Sequence, residues 1–109
     1  MNRQEGYQLL AGHRLRIDDL DLQILNLLNQ RTAVVLEIGK IKRALNLPIY
    51  EPRREDDVFG NVTGNNAGPL SPDAVRRVFE RIIDEMRTVQ RDRMVTGAAE
   101  GSEPDPVKE

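Results

Sequence analysis

The sequence predicts an all-α protein with three helices per chain, one long, one short and one of medium length. Two observations carry that reading. From Ile17 the apolar residues recur as Ile17, Leu20, Ile24, Leu27, Val34, Ile38, Ile41 and Leu45, the three-and-four spacing of one helical face. Farther on, Ser71-Pro72-Asp73 joins an N-cap serine, a proline suited to the first helical position and an acid at the positive end of the helix dipole.

The first helix is expected over about residues 10–46. Gly12 weakens its start. Asn46-Leu47-Pro48 ends it, since proline cannot continue the hydrogen-bond ladder and biases the residue before it away from helix. A second, shorter helix begins near Pro52 and fades between Gly60 and Gly64, and Asn65-Asn66-Ala67-Gly68-Pro69 is loop by composition. The third runs from the Ser71 cap to about Val95, with Val75, Val78, Phe79, Ile82, Ile83, Met86 and Val89 as its apolar face. Residues 1–9 are expected to be flexible. Residues 96–109, short of large apolar groups and rich in Gly, Pro and acid, are expected to be disordered. One helical domain, residues 10–95, is what a chain of 109 residues accommodates.

Composition removes several kinds of chemistry. With no cysteine and only His13, neither disulfides, thiolate or histidine metal sites, nor catalysis by thiol or histidine relay is expected. The first ten residues lack an apolar core followed by a small-residue cleavage site, and no stretch approaches the roughly 20 apolar residues of a membrane span; a soluble, cytoplasmic protein is the expectation. The net charge is −2. Residues 96–109 hold Glu100, Glu103, Asp105 and Glu109 against Lys108, a sum of −3, which leaves about +1 for residues 1–95. Such a balance argues against nonspecific nucleic-acid binding.

A helix over residues 10–46 spans roughly 55 Å at about 1.5 Å per residue, more than two shorter helices cover. Its apolar stripe calls for a second copy of the chain, and an intertwined helical homodimer is expected.

Several charges stand where this pattern calls for apolar groups. Arg31 falls on the seam between Leu27 and Val34, a costly position unless the guanidinium is paired. It is either a register-setting residue facing an acid of the second chain or part of an anion site. Lys42 follows eleven residues later, about 20° round the helix and roughly 16 Å along it; by itself it also reads as a lysine reaching out to solvent. Arg14 is about 42 Å from Lys42 along one helix, but between antiparallel copies crossing near Leu25 it reaches the partner's site. Its plain alternative is a pair with Asp18. On the third helix Gln90 shares the face of Phe79, Ile83 and Met86, and an inward amide needs partners; it is either a structural hydrogen-bonding group or the neutral donor of a site. The charged run IYEPRRED, residues 49–56, closes one end of the resulting pocket for a small dianion, or else serves as a capping cluster.

RLRIDDLDLQILNLLNQR, EIGKIKRALNLPIYEPRRED and GPLSPDAVRRVFERIIDEMRTVQ together resemble the all-helical class of chorismate mutases, from about Leu10 to about Gln90. The resemblance implies a three-helix chain in an intertwined homodimer that converts chorismate to prephenate without a cofactor, in aromatic amino acid biosynthesis. It implies that Arg14 of one chain and Arg31 of the other bind substrate carboxylates. Lys42 then meets a carboxylate and the ether oxygen, Gln90 donates to that oxygen, and Glu55 holds the ring hydroxyl, with Glu51 and Arg54 lining the same end. Two positions depart from the family pattern: Glu51 stands where an aspartate is usual, and Met86 where a small hydroxyl residue is frequent. Rival readings are an isochorismate pyruvate lyase on the same scaffold, a noncatalytic dimerisation or regulatory module, and DNA binding through Arg76, Arg77 and Arg81. Glu55, suited to the ring hydroxyl of chorismate, leans against the lyase.

Overall fold

The computed structural model describes residues 1–99, with side chains to residue 93. Among them are three helices and no strand: α1 (Arg3–Ala44), α2 (Pro52–Gly64) and α3 (Pro72–Ala99). None is long and apolar enough to cross a membrane.

The ends of these helices have local causes. The backbone N–H of Glu5 donates to Asn2 Oδ1 at 2.8 Å and that of Asn2 to Glu5 Oε1 at 3.0 Å, a reciprocal cap that satisfies two of the donors a helix start leaves open. Residues 3–9, read from the sequence as flexible, are therefore helical, and Gly12 lies within α1. At the other end Asn46 takes a φ of 56°. The N–H of Leu47 reaches Lys42 O at 2.7 Å and that of Asn46 reaches Arg43 O at 3.2 Å. This pair of bonds closes a helix around a left-handed residue, a conformation asparagine tolerates.

Pro52 opens α2 as expected, with Glu51 in the N-cap position but making no side-chain cap bond. Ser71 caps α3: its Oγ accepts from the Ala74 N–H at 3.1 Å. That helix passes Val95 and continues to Ala99. Residues 96–99 thus depart from the expected disorder, in keeping with the high helix propensity of Ala98 and Ala99; residues 100–109 lie outside the described residues.

The chain divides into two compact units, Met1–Val34 and Val35 onward. The first is a stretch of α1 whose apolar side chains stand open: Leu15, Leu22 and Leu27 are 70%, 65% and 61% exposed. The second has a small core of Phe59, Val75, Ile83 and Met86, with Lys42 and Gln90 buried alongside. Of the apolar face expected on α3, Val78 is exposed.

Candidate functional site

Lys42 sits in the last turn of α1, just before the Asn46 closure. The chain reverses there and brings Ile49 and Glu51 back over it. Nζ donates to Ile49 O at 2.9 Å and pairs with Glu51 Oε1 at 2.7 Å. The lysine is only 8% exposed, so it is not the solvent-reaching residue that its place in the sequence also allowed. An ammonium has three N–H donors, and these contacts use two. The Glu51 carboxylate is turned to Lys42 and makes no cap bond to α2; its side chain is 51% exposed, so solvent can take up the carboxylate where a competing anion replaces it on Lys42.

Gln90 is buried on α3 and its Nε2 donates to Val35 O at 3.0 Å. Val35, Gly39 and Lys42 lie four and three residues apart, on one face of the last turns of α1. Gly39 makes room for the amide: a Cβ there meets Gln90 Cγ at 3.6 Å and Nε2 at 3.7 Å. The Val35 bond orients the amide through one N–H and leaves the second able to serve a ligand. A buried ammonium and an oriented amide can both stabilise negative charge developing on a bound oxygen.

Glu55 lies one turn beyond Glu51, its N–H bonded to Glu51 O at 3.1 Å. Its Oε2 accepts a hydrogen bond from Arg87 on α3. The same guanidinium pairs with Asp84 and lies 5.3 Å from the centroid of the Tyr50 ring. Partial burial works against the charge on Arg87, but hydrogen bonding to Asp84 and the charges of Glu55 and Asp84 outweigh it and raise its pKa. Between α2 and α3 runs a groove of about 320 Å³, lined by Tyr50, Glu55, Phe59, Arg76, Ile83 and Arg87 among others.

The structure thus gathers Lys42 with Glu51, Gln90 with the Val35–Gly39 turn, and Glu55 with Arg87. Met86, one turn before Gln90, is buried with its thioether in the core. Arg54 is exposed in the first turn of α2. Arg14 and Arg31 belong to the N-terminal unit, where Arg14 is exposed and Arg31 half-buried. Sequence reasoning missed Arg87 and Gly39. The signal for Arg87 was present: it continues the row Phe79, Ile83 at four-residue steps, so a cation interrupts an apolar ridge.

Among the described residues, then, are three helices, a buried lysine and an oriented amide, the last two being groups able to hold negative charge. Residues 13–91 match the family described as chorismate mutase type II, and the chain belongs to that family. It is 37% identical over 84 residues to the bifunctional chorismate mutase/prephenate dehydratase of Neisseria gonorrhoeae, covering 77% of this chain and 23% of that protein. It therefore spans about a quarter of such relatives. A 4-amino-4-deoxychorismate mutase of Streptomyces pristinaespiralis is 28% identical over 83% of this chain and 70% of its own. Among solved structures, chorismate mutase (form II) of Thermus thermophilus superposes with a TM-score of 0.74 and 30% identity, over 75% of this chain and 93% of that one.

Proposed function

We propose that the chain is a chorismate mutase that converts chorismate to prephenate by intramolecular Claisen rearrangement, without a cofactor, as an intertwined homodimer. The observation that carries this is the burial of Lys42 and Gln90 within the matched stretch, each with a donor left for a ligand. A unimolecular rearrangement requires no nucleophile. It requires the enolpyruvyl side chain to be folded over the ring and charge to be stabilised on the ether oxygen as its bond lengthens. Lys42 and Gln90 supply that stabilisation. Glu55 accepts from the ring hydroxyl, Glu51 and Arg54 close the same end of the site, and Met86 packs against it. Arg31, also of catalytic weight, binds a substrate carboxylate.

The exposed leucines of the Met1–Val34 unit support the dimer, since a helix with that much open apolar surface gains by burying it against a second copy. In that dimer Arg14 enters the site of the other chain and binds the second carboxylate. The test is titration with an oxabicyclic dicarboxylate that mimics the transition state. Tight binding at one molecule per chain, lost in Lys42→Ala, is the expected result; a folded protein that ignores the compound overturns the assignment.

A further inference from the structure

We infer that Arg87 is a specificity-determining residue that makes the site select a neutral hydroxyl over an ammonium at the ring carbon facing Glu55. This rests on the reading of Glu55 as the acceptor for the ring hydroxyl. A carboxylate alone is indifferent to which donor it meets in geometry, but not in charge: an ammonium gains a full ion pair with it, a hydroxyl only a hydrogen bond. Left unpaired, Glu55 favours the cationic ligand. In this chain one carboxylate oxygen is taken by Arg87, and the side chains of the two partners are 22% and 24% exposed, so their charges largely cancel at the place where the ligand's group must sit. The other oxygen stays able to accept from a hydroxyl. An ammonium there gains from Glu55 and is repelled by Arg87 at similar range.

Two contacts fix the guanidinium in this role. Tyr50 lies against it, with the ring centroid 5.3 Å away, within the range of cation–π attraction. Asp84 holds its second terminal nitrogen. The Asp84 side chain is 58% exposed, and solvent screens it from the ligand position more than it screens Glu55. The pairing is also placed to leave the reacting end alone: Gln90 is on the next turn of α3 and engages Val35, not the Glu55–Arg87 pair. Arg87 therefore acts through Glu55 and the local charge, and not on the ether oxygen.

The test compares chorismate with its 4-amino-4-deoxy analogue, protonated at neutral pH, on the full chain and on Arg87→Met, Arg87→Lys and the double variant Arg87→Met/Glu55→Gln. The readout is the ratio of kcat/KM for the amino compound to that for chorismate. It should rise by about tenfold in Arg87→Met, the scale of one partly exposed charge pair at close range. It should stay near the parental value in Arg87→Lys, which keeps the charge, and return toward it in the double variant, which restores neutrality. A purely structural role for Arg87 lowers both rates alike and leaves the ratio unmoved, which overturns the inference. Calorimetric binding of derivatives of both compounds in which the enolpyruvyl double bond is reduced to a lactyl ether, and which therefore cannot rearrange, gives the same ratio without turnover. If the parent fails to convert chorismate yet binds these ligands with the preference described, the proposed reaction falls and the selectivity stands; binding of neither ligand sinks both.

Discussion

Gln90→Glu isolates the group assigned to the breaking bond. The side chain is 7% exposed and its Nε2 lies 3.0 Å from Val35 O. The replacement keeps the shape but exchanges the two N–H donors for a carboxylate, which donates only when protonated. At neutral pH the ionised replacement faces the Val35 carbonyl acceptor-to-acceptor and offers nothing to the ether oxygen. Loss of one such donor to a developing oxyanion is worth about 10²–10³ in kcat. Burial and the facing carbonyl raise the pKa of the new carboxyl, and the bound dianion raises it further, while Lys42 opposes them. Activity should accordingly be poor at pH 8 and partly recover at pH 5, with the parent changing much less. Recovery stays incomplete because one acid proton cannot serve Val35 and the ligand together. Stability follows the same sign. An acid whose pKa is raised on folding has its full stability below its unfolded pKa of about 4.3 and loses it as pH rises through the folded value. The Tm deficit of Gln90→Glu against the parent is therefore larger at pH 8 than at pH 5. The assay is initial chorismate consumption at both pH values, with circular dichroism confirming the folded fraction. Equal activity of folded variant at pH 5 and pH 8 would refute the role of Gln90 as donor.

Three further outcomes are expected. Arg14→Ala and Lys42→Ala homodimers, each nearly inactive, should regain activity when mixed and allowed to exchange subunits, since the heterodimer holds one intact site; verified exchange without recovery contradicts a shared site. Gly39→Ala should raise stability by roughly 0.5–1 kcal/mol in thermal or urea melts and keep most activity, because its Cβ meets Gln90 only at van der Waals distance, whereas Gly39→Leu should displace the amide and lose activity. Ser71→Ala removes the bond to the Ala74 N–H and should cost about 1 kcal/mol, read as a lower Tm with kcat/KM unchanged; a matching fall in kcat/KM would tie this remote cap to the site.

Legibility in the sequence followed the range of the interactions. The Ser71-Pro72 start and the stop before Pro48 depend on neighbours within a turn, and both stand where the residue types place them. The capping pair Asn2–Glu5 is equally local, but it lies outside the apolar repeat that defines the first helix, and so that repeat places the start of α1 too late. Lys42 and Gln90 were legible as polar residues on apolar faces, and burial in the structure agrees. Their partners were not: Ile49, Glu51 and Val35 meet them only after the chain reverses at Asn46. The Glu55–Arg87 pair joins residues 32 positions apart, a separation at which side-chain spacing along one helix carries no information. Gly39 has a function only in the space it leaves for Gln90.

The central claim is the reaction itself, and it is tested most directly by adding the purified chain to chorismate and following the diene absorbance while the product is identified by NMR. The account predicts that the absorbance falls, that prephenate forms in equal amount without any added cofactor or metal, and that Lys42→Ala abolishes the change. Chorismate left intact by the folded protein, or consumed to give a product other than prephenate, would contradict it.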